Sequence, residues 1–396
     1  MQTPPAYDEA TFFERSFKIG IDARFYRRET GGLGRYTREL LAALSKLDTV
    51  NDYSIFLTKR DLAQYDIAAS NFKPVLVDIP HFSVAEQIRL AVFLRQQRFD
   101  LVHFLNPNHP LLYQGPFLTT VHDLTVIKLP HTEKASLAAT TKARVFRKVV
   151  RRAVLAGRRT IAVSKFTADD VAKTLRVPRS RIDVVYEGWP HSPGQAVAEP
   201  DDLRQVLKRS EPYFLFVSQW RVHKGILTLL DAFAKFKSNR SRPHLLVLGG
   251  RPDSAARSVS EALERHPFRS DIVTPGFVSD EVLAAMYAYA TAFVMPSEYE
   301  GFGLPVLEAF AHRTPAILTD SSSLPEVGGE AAIYFPARDS DALCRAMERM
   351  VDEPDLAATL RREIPNQLAK FSWEDCARNT LQIYREILRP SASIGS

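Results

Sequence analysis

The sequence predicts an α/β protein of two Rossmann-like, doubly wound domains. Short apolar runs alternate with longer helical patterns along nearly the whole chain, the order that builds parallel sheets. At 396 residues the chain can supply two domains with separate cores. A polar stretch with Pro190, Pro193, Gly194 and Pro200 marks a linker between halves of opposite charge. Residues 1–195 hold 29 Lys and Arg against 19 Asp and Glu, whereas 196–396 hold 23 against 27. The expected domains are therefore 1–193 and 194–372, a basic and a mildly acidic half with different partners.

Composition narrows the class. Hydrophobic content of 45% and charged content of 25% are those of a soluble globular protein. Cys344 and Cys376 are the only cysteines, which argues against a disulfide framework and fits a reducing cytoplasm. Residues 1–15 carry Asp8, Glu9 and Glu14 without an apolar core, so no secretory signal is expected there. The charge-free stretch 101–121 is interrupted by Pro107, Pro110 and Pro116 and does not read as a membrane helix.

In order, 17–22 reads as a first strand, followed by a basic loop and Thr30-Gly31-Gly32-Leu33-Gly34, with a helix expected over 35–47. Glycines there let backbone N–H groups approach a phosphate, although a plain tight turn remains open for this string alone. The spacing is not G-x-G-x-x-G, and no acidic residue closes a convincing second strand, which disfavours NAD. Strands are expected at 53–57, 74–77, 100–105 and 117–121, with a helix over 83–98. His122-Asp123-Leu124 falls at a strand end, where ligands of parallel sheets bind. Between Lys142 and Arg159 stand eight basic residues and no acidic one, with Val145, Phe146, Val149, Val150 and Ala153 at helical spacing. Such a helix suits an anionic membrane surface or packs its apolar side on the sheet. Nucleic acid is not expected, since no interleaved aromatics accompany the charge.

Strands follow at 160–164 and 182–186, and beyond the linker at 213–217, 244–248, 271–274, 292–295 and 315–318. Helices are expected over 226–237, 280–289 and 373–388. The most informative string is Ser297-Glu298-Tyr299-Glu300-Gly301-Phe302-Gly303-Leu304-Pro305-Val306-Leu307-Glu308. A buried strand runs into a glycine loop, and a helix opens with Pro305 in its first turn. Glu300 lies in the loop and Glu308 about a turn into the helix, flanking the N–H groups of Gly303 and Leu304, which suit an anion. Carboxylates for sugar hydroxyls beside donors for a phosphate outline a nucleotide-sugar site. The Asp339-Ser340-Asp341 string reads as a helix cap, so no metal site is expected.

These strings resemble the retaining, family-4 type nucleotide-sugar glycosyltransferases of the GT-B fold. The E-x7-E segment is Glu300 to Glu308. Ser218-Gln219-Trp220-Arg221-Val222-His223-Lys224-Gly225 is similar to the family's strand-to-helix turn, whose Lys binds the donor diphosphate. Lys224 matches it, while Gln219 stands where the family often has Arg, a role that Arg221 would then take. Gly31 to Tyr36 resembles the loop over the donor phosphate, with Gly32 and Gly34, and His122-Asp123-Leu124 the segment whose His contacts donor sugar or acceptor. Pro275-Gly276-Phe277-Val278 resembles the loop passing the base, and Tyr186-Glu187-Gly188 replaces a more usual Asn-Gly.

The resemblance implies a donor site of Gly32, Gly34, Arg221, Lys224, Phe277, Glu300, Phe302, Gly303, Leu304 and Glu308. His122, Glu300 and Lys224 are the catalytic candidates. It implies two domains facing across a cleft, a helix 373–389 crossing back to the first, no metal and no cofactor. It also implies front-face attack, in which the leaving phosphate takes the acceptor's proton. The His-Asp-Leu and Gly-Gly-x-Gly-Arg-Tyr forms look most like mannosyltransferases, so GDP-mannose is favoured over a UDP-sugar. The acceptor would be a glycan or lipid-linked, at the inner membrane face. The alternatives are a GT-B epimerase or phosphorylase, or a non-enzymatic basic membrane-binding protein.

Overall fold

The computed structural model describes residues 15–129, 137–189, 201–239, 242–250 and 257–389. The linker expected around Pro190 to Pro200 and the segment 1–14 lie outside them.

The first sheet comprises β1 (Lys18–Asp22), β2 (Asp52–Leu57), β3 (Phe72–Leu76), β4 (Leu101–Phe104), β5 (Phe117–Val121), β6 (Thr160–Ala162) and β7 (Ile182–Val184). The second comprises β8 (Tyr213–Val217), β9 (Leu245–Gly249), β10 (Ile272–Val273), β11 (Ala292–Met295), β12 (Ala316–Thr319) and β13 (Ala332–Phe335). Their orders are β3-β2-β1-β4-β5-β6-β7 and β10-β9-β8-β11-β12-β13, with every pairing parallel. Both sheets are doubly wound, and each reverses direction of winding once, at β1/β4 and at β8/β11. Those two reversals open the crevices in which ligands of such sheets bind. The central strands β4, β5, β9, β11 and β12 are buried at every position, which explains their mostly apolar sequences, and the polar His103, Thr119, Thr120 and Thr319 among them are buried too.

The helices that bear on function are α1 (Gly32–Leu47), α2 (Ala91–Gln97), α3 (Leu137–Ala156), α4 (Lys165–Leu175), α5 (Ile226–Asn239), α6 (Asp280–Ala288), α7 (Leu304–Ala311) and α8 (Trp373–Leu388). α1 begins three residues before the expected start, because Gly31 (φ 67°) makes the turn and lets Gly32 to Gly34 enter the helix. β3 sits at the sheet edge, where Pro74 needs no ladder donor. β13 was not expected: its four residues follow a glycine pair and show no alternation. Asp339 caps the helix Ser340–Asp352, its carboxylate accepting from the Ala342 N–H at 2.8 Å, as read from sequence.

α8 does cross back to pack on α1 in the first domain. Its Tyr384 hydroxyl meets His103 Nδ1 at 2.7 Å, and His103 Nε2 meets Thr120 Oγ1 at 2.8 Å. The two crossing segments touch where Trp189 bridges to Ser372. At Gly188 a Cβ would fall 2.1 Å from the Trp373 nitrogen, so only glycine allows this approach.

Burial holds several histidines neutral. It depresses His103 to about 3, and His109 and His244 to about 4. A His whose folded pKa is lowered stabilises the fold above its unfolded value, near 6.5, and that contribution fades as pH falls towards the folded value. The thermal unfolding midpoint is therefore expected to drop from pH 7 to pH 4.5. A midpoint constant over that window would contradict the neutral burial.

Candidate active site

The second sheet's crevice is built from the turns after β8 and β11. After β8 the chain makes a single turn, Val222–Lys224, and passes through Gly225 at φ 70°. A Cβ on Gly225 would lie 2.0 Å from the Pro296 carbonyl, so the two turns interlock only because this residue is glycine. The Glu298 N–H donates to the His223 carbonyl at 2.9 Å and fixes the contact. The result places Lys224 Nζ 2.6 Å and 2.8 Å from the two carboxylate oxygens of Glu300. Both side chains are largely shielded, 17% and 11% exposed, where a charge pair is stronger than at an open surface.

Glu300 is held from behind. Its N–H donates to Ser322 Oγ at 3.0 Å, and the Ser323 hydroxyl donates to the carbonyls of Glu300 and Phe302 at 3.1 Å and 2.7 Å. Gly303 (φ 117°) then starts α7, with Pro305 in its first turn. The first N–H groups of α7 have no acceptor within the helix and carry its positive dipole end. Glu308 follows on α7. Tyr287 donates to its Oε2 at 2.9 Å, and its Oε1 is paired with Arg35 from α1 of the other domain. The Glu308 carboxylate holds the Arg35 guanidinium above its ordinary pKa.

The first domain supplies the opposite wall. His122 follows β5, with Nδ1 3.1 Å from Glu187 and Nε2 3.0 Å from the Leu105 carbonyl. The Tyr36 ring stands edge-on to it at 4.5 Å. The loop bearing Glu300 docks directly on this wall. The Gly301 carbonyl accepts from Ser164 Oγ at 2.7 Å and Thr167 Oγ1 at 2.9 Å. Tyr299 donates to Asp170 at 2.7 Å and accepts from the Leu124 N–H at 3.0 Å. One loop thus brings Glu300, Lys224 and His122 to a single interdomain crevice.

Other candidates take varied places. Gly32 is exposed at the head of α1, and Gln219 Nε2 lies 4.0 Å from where a Cβ on neighbouring Gly31 would sit. The α1 N-terminus therefore faces the β8 turn across the crevice. Gly34 is buried, with the Arg27 carbonyl 2.2 Å from its missing Cβ, so its lack of a side chain serves packing of the preceding loop. Phe302 is buried against Phe371 and Tyr186, which makes its ring a packing element and leaves only its backbone near the site. Leu304 is likewise buried, and contributes its N–H. Arg221 is exposed beside Lys224, and Phe277 is 81% exposed beyond β10. Among the described residues, no three His, Cys, Asp or Glu side chains cluster as metal ligands.

Sequence reasoning missed three groups at the site. Arg35 and Tyr287 hold Glu308, and Glu187 holds His122. For Glu187 the signal was its presence where an Asn is usual; for Arg35 and Tyr287, only the folded chain brings the partners together.

Known proteins share both halves. A model of glycosyl transferases group 1 matches residues 199–367, and one of glycosyltransferase family 4 matches residues 30–192. O-antigen chain mannosyltransferase B of Escherichia coli is 25% identical over 89% of this chain and 96% of its own. Alpha-maltose-1-phosphate synthase of Mycolicibacterium smegmatis is 30% identical over 70% of this chain and 74% of its own. The structure of sucrose-phosphate synthase from Thermosynechococcus elongatus superposes with a TM-score of 0.75 at 22% identity, covering 94% of this chain and 99% of that one. With both domains matched in sequence and the fold matched along nearly its whole length, the chain belongs to the family-4 type glycosyltransferases of the GT-B fold.

Proposed function

We propose that this glycosyltransferase moves mannose from GDP-mannose, with retention and without a metal, to a glycan or lipid-linked acceptor in cell-surface polysaccharide synthesis. The work would take place in the cytoplasm, at an anionic inner membrane face. The observation that carries the reading is the Lys224–Glu300 pair at the β8/β11 crevice, with Glu308 one helix turn beyond. The name of the Escherichia coli relative, a mannosyltransferase of O-antigen chains, supports the sugar and the product class.

In this reading the donor diphosphate lies between Lys224 and the N-termini of α7 and α1. Departure of the diphosphate builds negative charge, and fixed cations and N–H groups lower that barrier because they need no reorganisation. Glu300 orients sugar hydroxyls while Lys224 turns to the phosphate. The sugar carbon acquires oxocarbenium character, as in glycoside hydrolysis. Glu308 takes the ribose. Arg35 pairs with that carboxylate, and a ribose taking the Glu308 oxygens competes with it. Arg35→Gln is therefore expected to raise affinity for free guanosine by up to about fivefold, the scale of one partly exposed ion pair. Isothermal titration checks this, and unchanged or weaker guanosine binding would count against the competition.

The test of the function is turnover of GDP-mannose, UDP-glucose and ADP-glucose with a membrane-derived acceptor, with and without a chelator. GDP-mannose should exceed the others at least about tenfold, chelation should leave the rate unchanged, and NMR should show the donor's anomeric configuration in the product. Preference for another base, or an inverted product, overturns the respective part of the proposal.

A further inference from the structure

The basic helix α3 turns most of its apolar face inward: Val150, Ala153 and Val154 are fully buried and Val149 nearly so, while Val145 stays 56% exposed. Its arginines are partly engaged as well, Arg147 and Arg151 donating to the Thr174 and Leu175 carbonyls at the end of α4. A membrane contact through α3 would therefore be mainly electrostatic, with Val145 and Leu155 its exposed large apolar side chains among the described residues.

An apolar face stands open beside it. The helical segment 84–97 passes through a π-helical turn, Glu86–Leu90, into α2. Along it Val84, Ile88 and Val92 recur every fourth residue and are 76%, 54% and 45% exposed. Phe82 just before it is 60% exposed and adopts φ 57°, a backbone state that bulky side chains rarely enter. That state is fixed from inside. The Phe82 N–H donates to Glu86 Oε2 at 2.8 Å, and buried Glu86 is itself held by Arg24 at 2.7 Å and Asn108 at 2.5 Å. A buried ionic network thus presents an aromatic ring to solvent. Leu112, 55% exposed, is drawn to the same edge, its carbonyl accepting from Arg95 at 2.7 Å.

Charge identifies the partner. The ridge adjoins α3, with the Phe82 and Phe146 rings 6.0 Å apart and Arg152 donating to the Leu111 carbonyl at 3.4 Å. Arg89 and Arg95 flank the ridge, and Arg144 and Lys148 are exposed on α3. The only carboxylate on either helical segment is the buried Glu86. Apolar side chains among cations, on two helical segments that expose no acid, match an anionic lipid surface.

We propose that Phe82, Val84, Ile88, Val92 and Leu112 enter the outer acyl region of an anionic bilayer, with the neighbouring cations at its headgroups. The inference rests on the membrane-face reading above and relocates the inserting element from α3 to the segment 82–92.

The test uses the full chain and vesicles of phosphatidylethanolamine with phosphatidylglycerol. The triple variant Val84→Gln, Ile88→Gln, Val92→Gln changes exposed positions only, so it should stay folded and keep wild-type donor hydrolysis in solution. Its vesicle affinity should fall at least about tenfold, given three exposed aliphatic chains. Ile88→Cys carrying an environment-sensitive dye should shift to the blue on binding; the native Cys344 and Cys376 are buried and stay unlabelled. Wild-type vesicle binding by the triple variant, or a dye that remains in water while the protein is bound, overturns the insertion and leaves an electrostatic contact through α3. Failure of the wild-type chain to bind these vesicles at all overturns both the insertion and the membrane-face reading.

Discussion

Lys224→Ala is expected to lower donor turnover by about 10²–10³-fold, the usual cost of losing one preorganised group that stabilises a departing anion. Two losses combine. The diphosphate loses its nearest cation, and Glu300 loses the partner that meets both its oxygens at 2.6 Å and 2.8 Å. The turn itself should survive, because it is held by the Glu298-to-His223 backbone bond and the close fit of Gly225 on Pro296, not by the lysine side chain. Lys224→Arg keeps the charge but not the compact ammonium, and should recover only part of the rate. Steady-state kinetics on GDP-mannose decide it: a Lys224→Ala enzyme within threefold of wild type would remove Lys224 from the diphosphate site. An unchanged unfolding midpoint in the variant would show that the loss is chemical.

Gly301→Ala should cost nearly as much by a different route. Its Cβ would lie 1.7 Å from the His122 carbonyl oxygen, closer than any real contact, and a tight 3.0 Å from the Asp123 Cβ. The loop must then lift from the first domain and give up the Ser164 and Thr167 hydrogen bonds to the Gly301 carbonyl. Donor binding should weaken only in part, since Lys224, Glu300 and Glu308 all belong to the second domain and the α1 N-terminus alone is withdrawn. Transfer should fall by about 10²-fold, because a shift of an ångström between reacting groups has that effect. Small-angle scattering should show a more open molecule. Wild-type transfer by Gly301→Ala would mean that the reacting state does not use this domain contact.

Both predictions depend on the same division of information. The sequence carried the strand-end positions of Lys224, Glu300 and His122, because each follows an apolar run that buries itself in a parallel sheet. It carried Glu308 on a helix opening at Gly303 and Pro305, since those residues have local conformational signatures. It carried the Asp339 cap for the same reason. It did not carry the packing of Phe302 on Phe371, 69 positions away, or the close approach of the Arg27 carbonyl to Gly34, which needs the loop between them to fold back. The amphipathic pattern of α3 was legible, as was the packing of its apolar side on the sheet, but not that a separate ridge stays open beside it.

By itself, then, the sequence determined two doubly wound domains and the residues at their strand ends. Local propensity and apolar periodicity act over a few residues, and the strand-to-turn junctions are fixed at that range. Only the tertiary structure decided which of those ends meet. Arg35 reaches Glu308 across 273 positions, Tyr299 reaches Asp170 across 129, and Glu187 reaches His122 across 65. The first two pairs join the domains and arise from how the two sheets dock, the third joins the ends of β5 and β7 within the first sheet, and no local pattern encodes either meeting.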